Sequence, residues 1–148
     1  MAHKIALTIK VPRNSDQTWN EIIDWTGQSN WMLQTKVWVT SEIVEGIGTE
    51  IAAFTGPLHR LYPRFKWCGV LDLMRVTGWD APRRCDVIHY GKIIRGTGRF
   101  EVEAIDHESS YFHWSEEIEA PRVLFLLIKP FILIGVKISL ARFIAQLE

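Results

Sequence analysis

Cysteine is scarce in this chain of 148 residues, and Cys68 and Cys85 show no CxxC spacing. That excludes a disulfide framework and fits reduced thiols in the cytoplasm. Both are expected to lie in strands as small buried hydrophobes. Net charge is lacking as well, because 17 Lys and Arg balance 17 Asp and Glu. No overall field would gather a phosphate backbone, so nucleic acid is not an expected partner. The five histidines are scattered without paired ligand spacing, and neither a metal nor another cofactor is expected. A serine elbow and a GxxxxGK phosphate cradle are both missing, and Gly96 and Gly98 fall mid-strand rather than before a helix. Met1 to Lys4 is polar and runs into alternating apolar residues, which is not a signal-peptide pattern. Val123 to Ile138 is broken by Lys129 and Pro130. It falls short of the roughly 20 apolar residues that span hydrocarbon, which leaves peripheral membrane contact as its membrane role.

What the chain does have is one long apolar segment at its C-terminal end, Pro121 to Glu148. Leu133, Val136, Leu140, Phe143 and Leu147 recur at three-and-four spacing, which predicts one helical stripe. Gly135, Ser139, Arg142 and Gln146 fall on a different arc. Phe131, Ile134 and Ile138 lie on neither, so the apolar surface is wider than one core contact needs. A ligand, a second copy in a homodimer or a membrane would each cover the surplus. Pro130 lacks an N–H and crowds the carbonyl four residues back, which predicts a kink near Leu126 to Pro130.

Before that helix the pattern is largely of period two. Ile5, Leu7, Ile9 and Val11 alternate with polar residues and predict a first strand closed by Pro12. Asn14 and Gln17 have capping-box spacing ahead of Trp19, Ile22 and Ile23, and Asp24 to Trp31 reads as a second short helical turn. Six strands are expected next. Val37, Val39 and Ile43 mark one, and Ile51, Ala53 and Thr55 the next, with a hairpin at Gly46 and Gly48. Phe65 to Trp79, Arg83 to Lys92, Ile94 to Ile105 and Ser109 to Glu119 complete the set. The expectation is a single α+β domain over residues 1–148, a curved seven-stranded antiparallel meander covered by the long C-terminal helix. Such a sheet leaves an internal space for a small apolar ligand.

Side-chain parity names the lining of that space. Val37, Ile51, Ala53, Met74, Val76, Val87, Phe100, Val102, Phe112 and Trp114 are expected to face inward, opposite Leu133, Val136 and Leu140 of the helix. Asp72, His89 and Glu116 share that parity and are the ionisable side chains placed among them. They are candidates for proton transfer, or for orienting a ligand through hydrogen bonds. Gly96 and Gly98 are expected to leave open space between His89 and Glu116. The loop holding His59, Arg60 and Tyr62 is the expected entrance.

Several short pieces carry a family resemblance across nearly the whole chain. They include Trp19 to Trp25 with Trp31, Gly46-Ile47-Gly48-Thr49, Asp72-Leu73-Met74-Arg75-Val76-Thr77, Arg95-Gly96-Thr97-Gly98-Arg99-Phe100 and Trp114-Ser115-Glu116. In order and spacing the chain resembles the SRPBCC superfamily, which includes polyketide cyclase/dehydrase-like proteins, START lipid-transfer domains and the major birch-pollen allergen. The resemblance implies a helix-grip fold that binds a small hydrophobic molecule such as a lipid, a polyketide or an aromatic metabolite. A cyclase/dehydratase-type enzyme using the same pocket is the alternative it implies. An interaction protein that dimerises through the C-terminal helix is the third expectation, drawn from the surplus apolar surface.

Overall fold

Alternating burial along Ile5, Leu7, Ile9 and Val11 produces the first strand, β1 (Ala2–Val11). The structure, a computed structural model, describes residues Ala2–Glu148. The side chain of Asn14 accepts a hydrogen bond from the Gln17 amide at 2.9 Å and starts α1 (Ser15–Ile22). This helix buries Thr18, Trp19 and Ile22. A 3-10 turn, Thr26–Asn30, forms the expected second helical piece, with Trp25 and Trp31 buried on either side.

The remaining strands are β2 (Thr35–Val39), β3 (Glu50–Thr55), β4 (Val70–Asp80), β5 (Arg84–Tyr90), β6 (Arg95–Ala104) and β7 (Ser110–Glu119). They form one antiparallel sheet in the order β1-β7-β6-β5-β4-β3-β2. The α+β helix-grip architecture expected from the sequence is the one observed.

Two strand boundaries differ from the expectation, and one strand carries a bulge. Ile43 lies in the β2–β3 loop and is exposed, because the chain turns after Thr40, whose amide donates to the Glu50 carbonyl. The fourth strand starts at Val70 rather than Phe65, since Lys66–Cys68 forms a 3-10 turn. Cys68 therefore sits in a turn, while Cys85 is buried in β5. In β4 the register slips between Val76 and Gly78. That bulge pairs Trp79 with inward-facing Cys85, and the Trp79 ring meets Trp19 edge-on at 5.2 Å.

The last helix, α2 (Arg122–Leu147), runs through Pro130, whose missing N–H leaves the Leu126 carbonyl without its helical donor. Leu140, Phe143 and Leu147 are buried, and Leu133 and Val136 on the same stripe are half-buried. Ser139, on the different arc, is buried as well. Its hydroxyl donates to the Gly135 carbonyl at 2.8 Å and accepts from the Leu33 amide at 2.9 Å, which ties α2 to the segment before β2. Arg142 adds a hydrogen bond to the Asn30 carbonyl.

Candidate functional site

The inner face of the sheet is graded from closed to open. Towards the β4–β5 and β6–β7 turns it is packed by aromatic rings. Trp25 lies 6.5 Å from Phe100, Phe100 5.8 Å from Phe112, Phe112 5.9 Å from Phe143, and Phe143 5.0 Å from Trp31. These rings close the space that parity alone left vacant. Val37, Ile51, Ala53, Val76, Val87, Phe100, Val102, Phe112, Trp114 and Leu140 face inward as expected, but they sit shut in one continuous core instead of lining a void. Parity reports direction, and it says nothing of how far a ring reaches. Two buried indole N–H groups, those of Trp25 and Trp31, have no acceptor among the described residues.

Towards the other end of the strands the same face loosens. Asp72 and Met74 of β4, Glu116 and Ile118 of β7, and Ile132, Leu133 and Val136 of α2 are all half-buried. Ile118 and Ile132 were not among the expected lining residues. The signal was available, since Ile118 shares the parity of Glu116 and Ile132 stands four residues before Val136.

His89 sits where the two regions meet. Met74 is its direct partner across β4–β5, which puts Asp72 two residues along on the same face. Imidazole Nδ1 lies 2.9 Å from Oδ1 and 3.0 Å from Oδ2 of Asp72. On the other side Nε2 lies 3.5 Å from Oε1 of Glu116, an ion-pair distance rather than a good hydrogen bond. The His89 side chain is 2% exposed, against 16% for Asp72 and 19% for Glu116. Nε2 is thus a deeply buried donor with no hydrogen-bond acceptor among the described residues.

Burial alone would push the imidazole towards its neutral form. The hydrogen bond to Asp72 and the charges of Asp72 and Glu116 outweigh that penalty and raise its pKa from 6.5 to about 10. At neutral pH the residue is an imidazolium between two carboxylates. With both ring nitrogens protonated it has no lone pair to offer a metal. Cys85, on the same strand, is held as a neutral thiol. Burial first, and then the charge of Asp86, push its pKa up to about 12.

Gly98 makes the close approach of His89 and Glu116 workable. It pairs with both Val87 and Glu116, and a Cβ there would meet Val87 Cγ2 at 3.1 Å and His89 Nε2 at 3.3 Å. The space expected beside Gly98 is therefore largely taken by the imidazole itself. Gly96 serves the backbone instead, since its φ of +138° and a Cβ position 1.9 Å from the Glu117 carbonyl admit no side chain.

The expected entrance loop also lies elsewhere. Tyr62 packs at a tilt against Phe54 at 4.6 Å and Trp38 at 5.0 Å. Both point to the outer face, opposite in parity to Val37 and Ala53, so Tyr62 is an anchor on the back of the sheet. Within the same loop His59 bonds to the Gly56 carbonyl and Arg60 is exposed. Two polar hollows open on the surface. One of about 390 Å³ crosses the outer face at Lys4, Asp86, Arg99 and Glu117, and one of about 770 Å³ flanks the β4–β5 turn at Asp80, Arg83 and His113. Neither lies between the sheet and α2.

No family model and no curated protein matches the sequence. Solved structures do match in shape. A START superfamily protein from Mycobacterium smegmatis superposes with a TM-score of 0.76 at 12% identity, over 99% of each chain. The Zhui aromatase/cyclase from Streptomyces sp. R1128 gives 0.76 at 13% identity, over 99% of this chain and 93% of its own. Norcoclaurine synthase from Thalictrum flavum, solved with dopamine and hydroxybenzaldehyde, gives 0.68 at 14% identity, over 99% and 86%. The chain thus has an SRPBCC-type, polyketide-cyclase-like helix-grip fold, and at these identities the likeness extends to the fold alone.

Proposed function

We propose that the protein binds one small apolar molecule carrying a hydroxyl group, held between the looser half of the sheet and α2 with its polar end at His89. The observation that supports this most is the buried Nε2 donor, without a hydrogen-bond acceptor, 3.5 Å from Glu116. A hydroxyl can accept from that N–H and donate to the carboxylate, which satisfies both. Asp72, His89 and Glu116 together carry a net negative charge when the imidazole is protonated, which disfavours a carboxylate ligand. Met74, Ile118, Ile132, Leu133 and Val136 supply the apolar walls. Of the two molecules in the norcoclaurine synthase structure, hydroxybenzaldehyde is a ligand of the proposed kind.

A second reading, a cyclase/dehydratase-type enzyme, draws on the same imidazolium. Glu116 would take a proton from carbon while His89 gives one to a departing hydroxyl, releasing water and leaving a new double bond. Native mass spectrometry of freshly purified protein separates the two. A carrier returns an added ligand unchanged, an enzyme returns it lighter by one water, and a protein that retains neither counts against both.

A further inference from the structure

The charge of this neutral chain is sharply divided. Residues 56–69, 91–95 and 120–147 hold nine of the 17 Lys and Arg and none of the 17 Asp and Glu. Antiparallel pairing brings the two loops and the start of α2 to one end of the sheet, while the last turn of α2 reaches the other, where Arg13 donates to the Leu147 carbonyl. The β3–β4 loop leaves where Thr55 pairs with Val70, the β5–β6 loop leaves where Tyr90 pairs with Arg95, and α2 starts just past Glu119 at that same end of the sheet. Glu42, Glu45, Asp106 and Glu108 lie in the loops of the opposite end.

The cationic end is also apolar. Trp67 is 80% exposed and Ile93 69%, and on α2 Val123, Leu127 and Phe131 are 73%, 65% and 77% exposed. With Ile134 and Ile138 the α2 residues make one outward stripe at three-and-four spacing, about 22 Å long. Arg122, Lys129 and Lys137 stand among them. Among the described residues α2 is the one helix long and apolar enough to cross a bilayer. Its burial of Leu140, Phe143 and Leu147 in the core holds it against the sheet instead.

We propose that this stripe, with Arg122, Lys129 and Lys137 among it, docks the protein on the surface of an anionic membrane, with α2 lying in the interface. Exposed apolar side chains interleaved with cations suit the boundary between headgroups and acyl chains. A second copy of the chain fits less well. A two-fold interface would set this cationic face against itself, and like charges at an interface repel. This surface lies on the outer side of α2 and is independent of the ligand reading at His89.

Vesicle co-sedimentation of the full chain tests the proposal. Vesicles of phosphatidylcholine with about 30% phosphatidylserine should pellet the wild type at least about tenfold more strongly than pure phosphatidylcholine, and about 0.5 M salt should remove most of the difference. The double variant Leu127→Glu with Phe131→Glu should lose that binding while its circular dichroism spectrum is unchanged, since both side chains are exposed. Arg122→Glu with Lys137→Glu, both exposed on α2, should weaken it as well. Equal pelleting on neutral vesicles, no pelleting on anionic ones, or a wild-type dimer that the α2 variant splits without any vesicle binding would each overturn it.

Discussion

A Cβ placed on Gly98 would stand 3.3 Å from Nε2 of His89, so the absence of a side chain on β6 is what lets an imidazole on β5 approach a carboxylate on β7. The site is built across four neighbouring strands, β4 to β7, of which β6 contributes only room.

Gly98→Ala should therefore act on the site more than on the fold. Its Cβ would press on Val87 and His89, both flexible at their ends, and the expected cost is about 1 to 2 kcal/mol, with the His89 ring signals displaced. Gly96→Ala meets backbone and a φ that side chains avoid, so it should cost more, at least about 2 kcal/mol. Urea denaturation of the two variants checks the order. A Gly98→Ala protein as damaged as Gly96→Ala would place both glycines in the same backbone role.

Protonation of His89 predicts how stability follows pH. The folded pKa is raised to about 10 from 6.5, so the contribution of the imidazolium is complete below about pH 6.5 and fades as pH climbs through about 10. Its size is on the order of a few kcal/mol. Denaturation midpoints measured from pH 6 to 10 should fall more steeply in the wild type than in His89→Gln, which cannot titrate. Parallel curves would mean that the two carboxylates do not hold the proton.

Much of the site is legible in the sequence, because strand parity is a two-state question. Met74 and Val76 fix the inward phase of β4, and Asp72 inherits it; Val87 does the same for His89, and Trp114 for Glu116. Short turns then set the pairing of Phe100 with Trp114 and of Gly98 with Glu116. Volume is what cannot be read. Nothing local in the spacing of Trp25, Trp31, Phe112 and Phe143 says that their rings meet and close half of the inner face. The side taken by the β3–β4 loop is hidden for a similar reason. Tyr62 is drawn to the back of the sheet by Phe54 and Trp38, and those contacts exist only after β2 and β3 have paired. Phe125 belongs with these. It lies in the apolar run ahead of Pro130, yet unlike its neighbours it is buried and stacked on His3 at 4.2 Å, which needs the β1–β7 pairing first.

The most direct test of ligand anchoring at His89 compares 2-naphthol with naphthalene, which share an apolar body and differ by one hydroxyl. Titrations followed through the His89 ring nitrogens and the methyl groups of Met74, Ile118 and Ile132 should show 2-naphthol binding at least about tenfold more tightly, the worth of one satisfied buried donor. The same titration should displace the Nε2 signal and leave the Nδ1 signal, held by Asp72, nearly in place. Equal affinity for the two compounds, or shifts confined to residues outside this group, would contradict a binding site at His89.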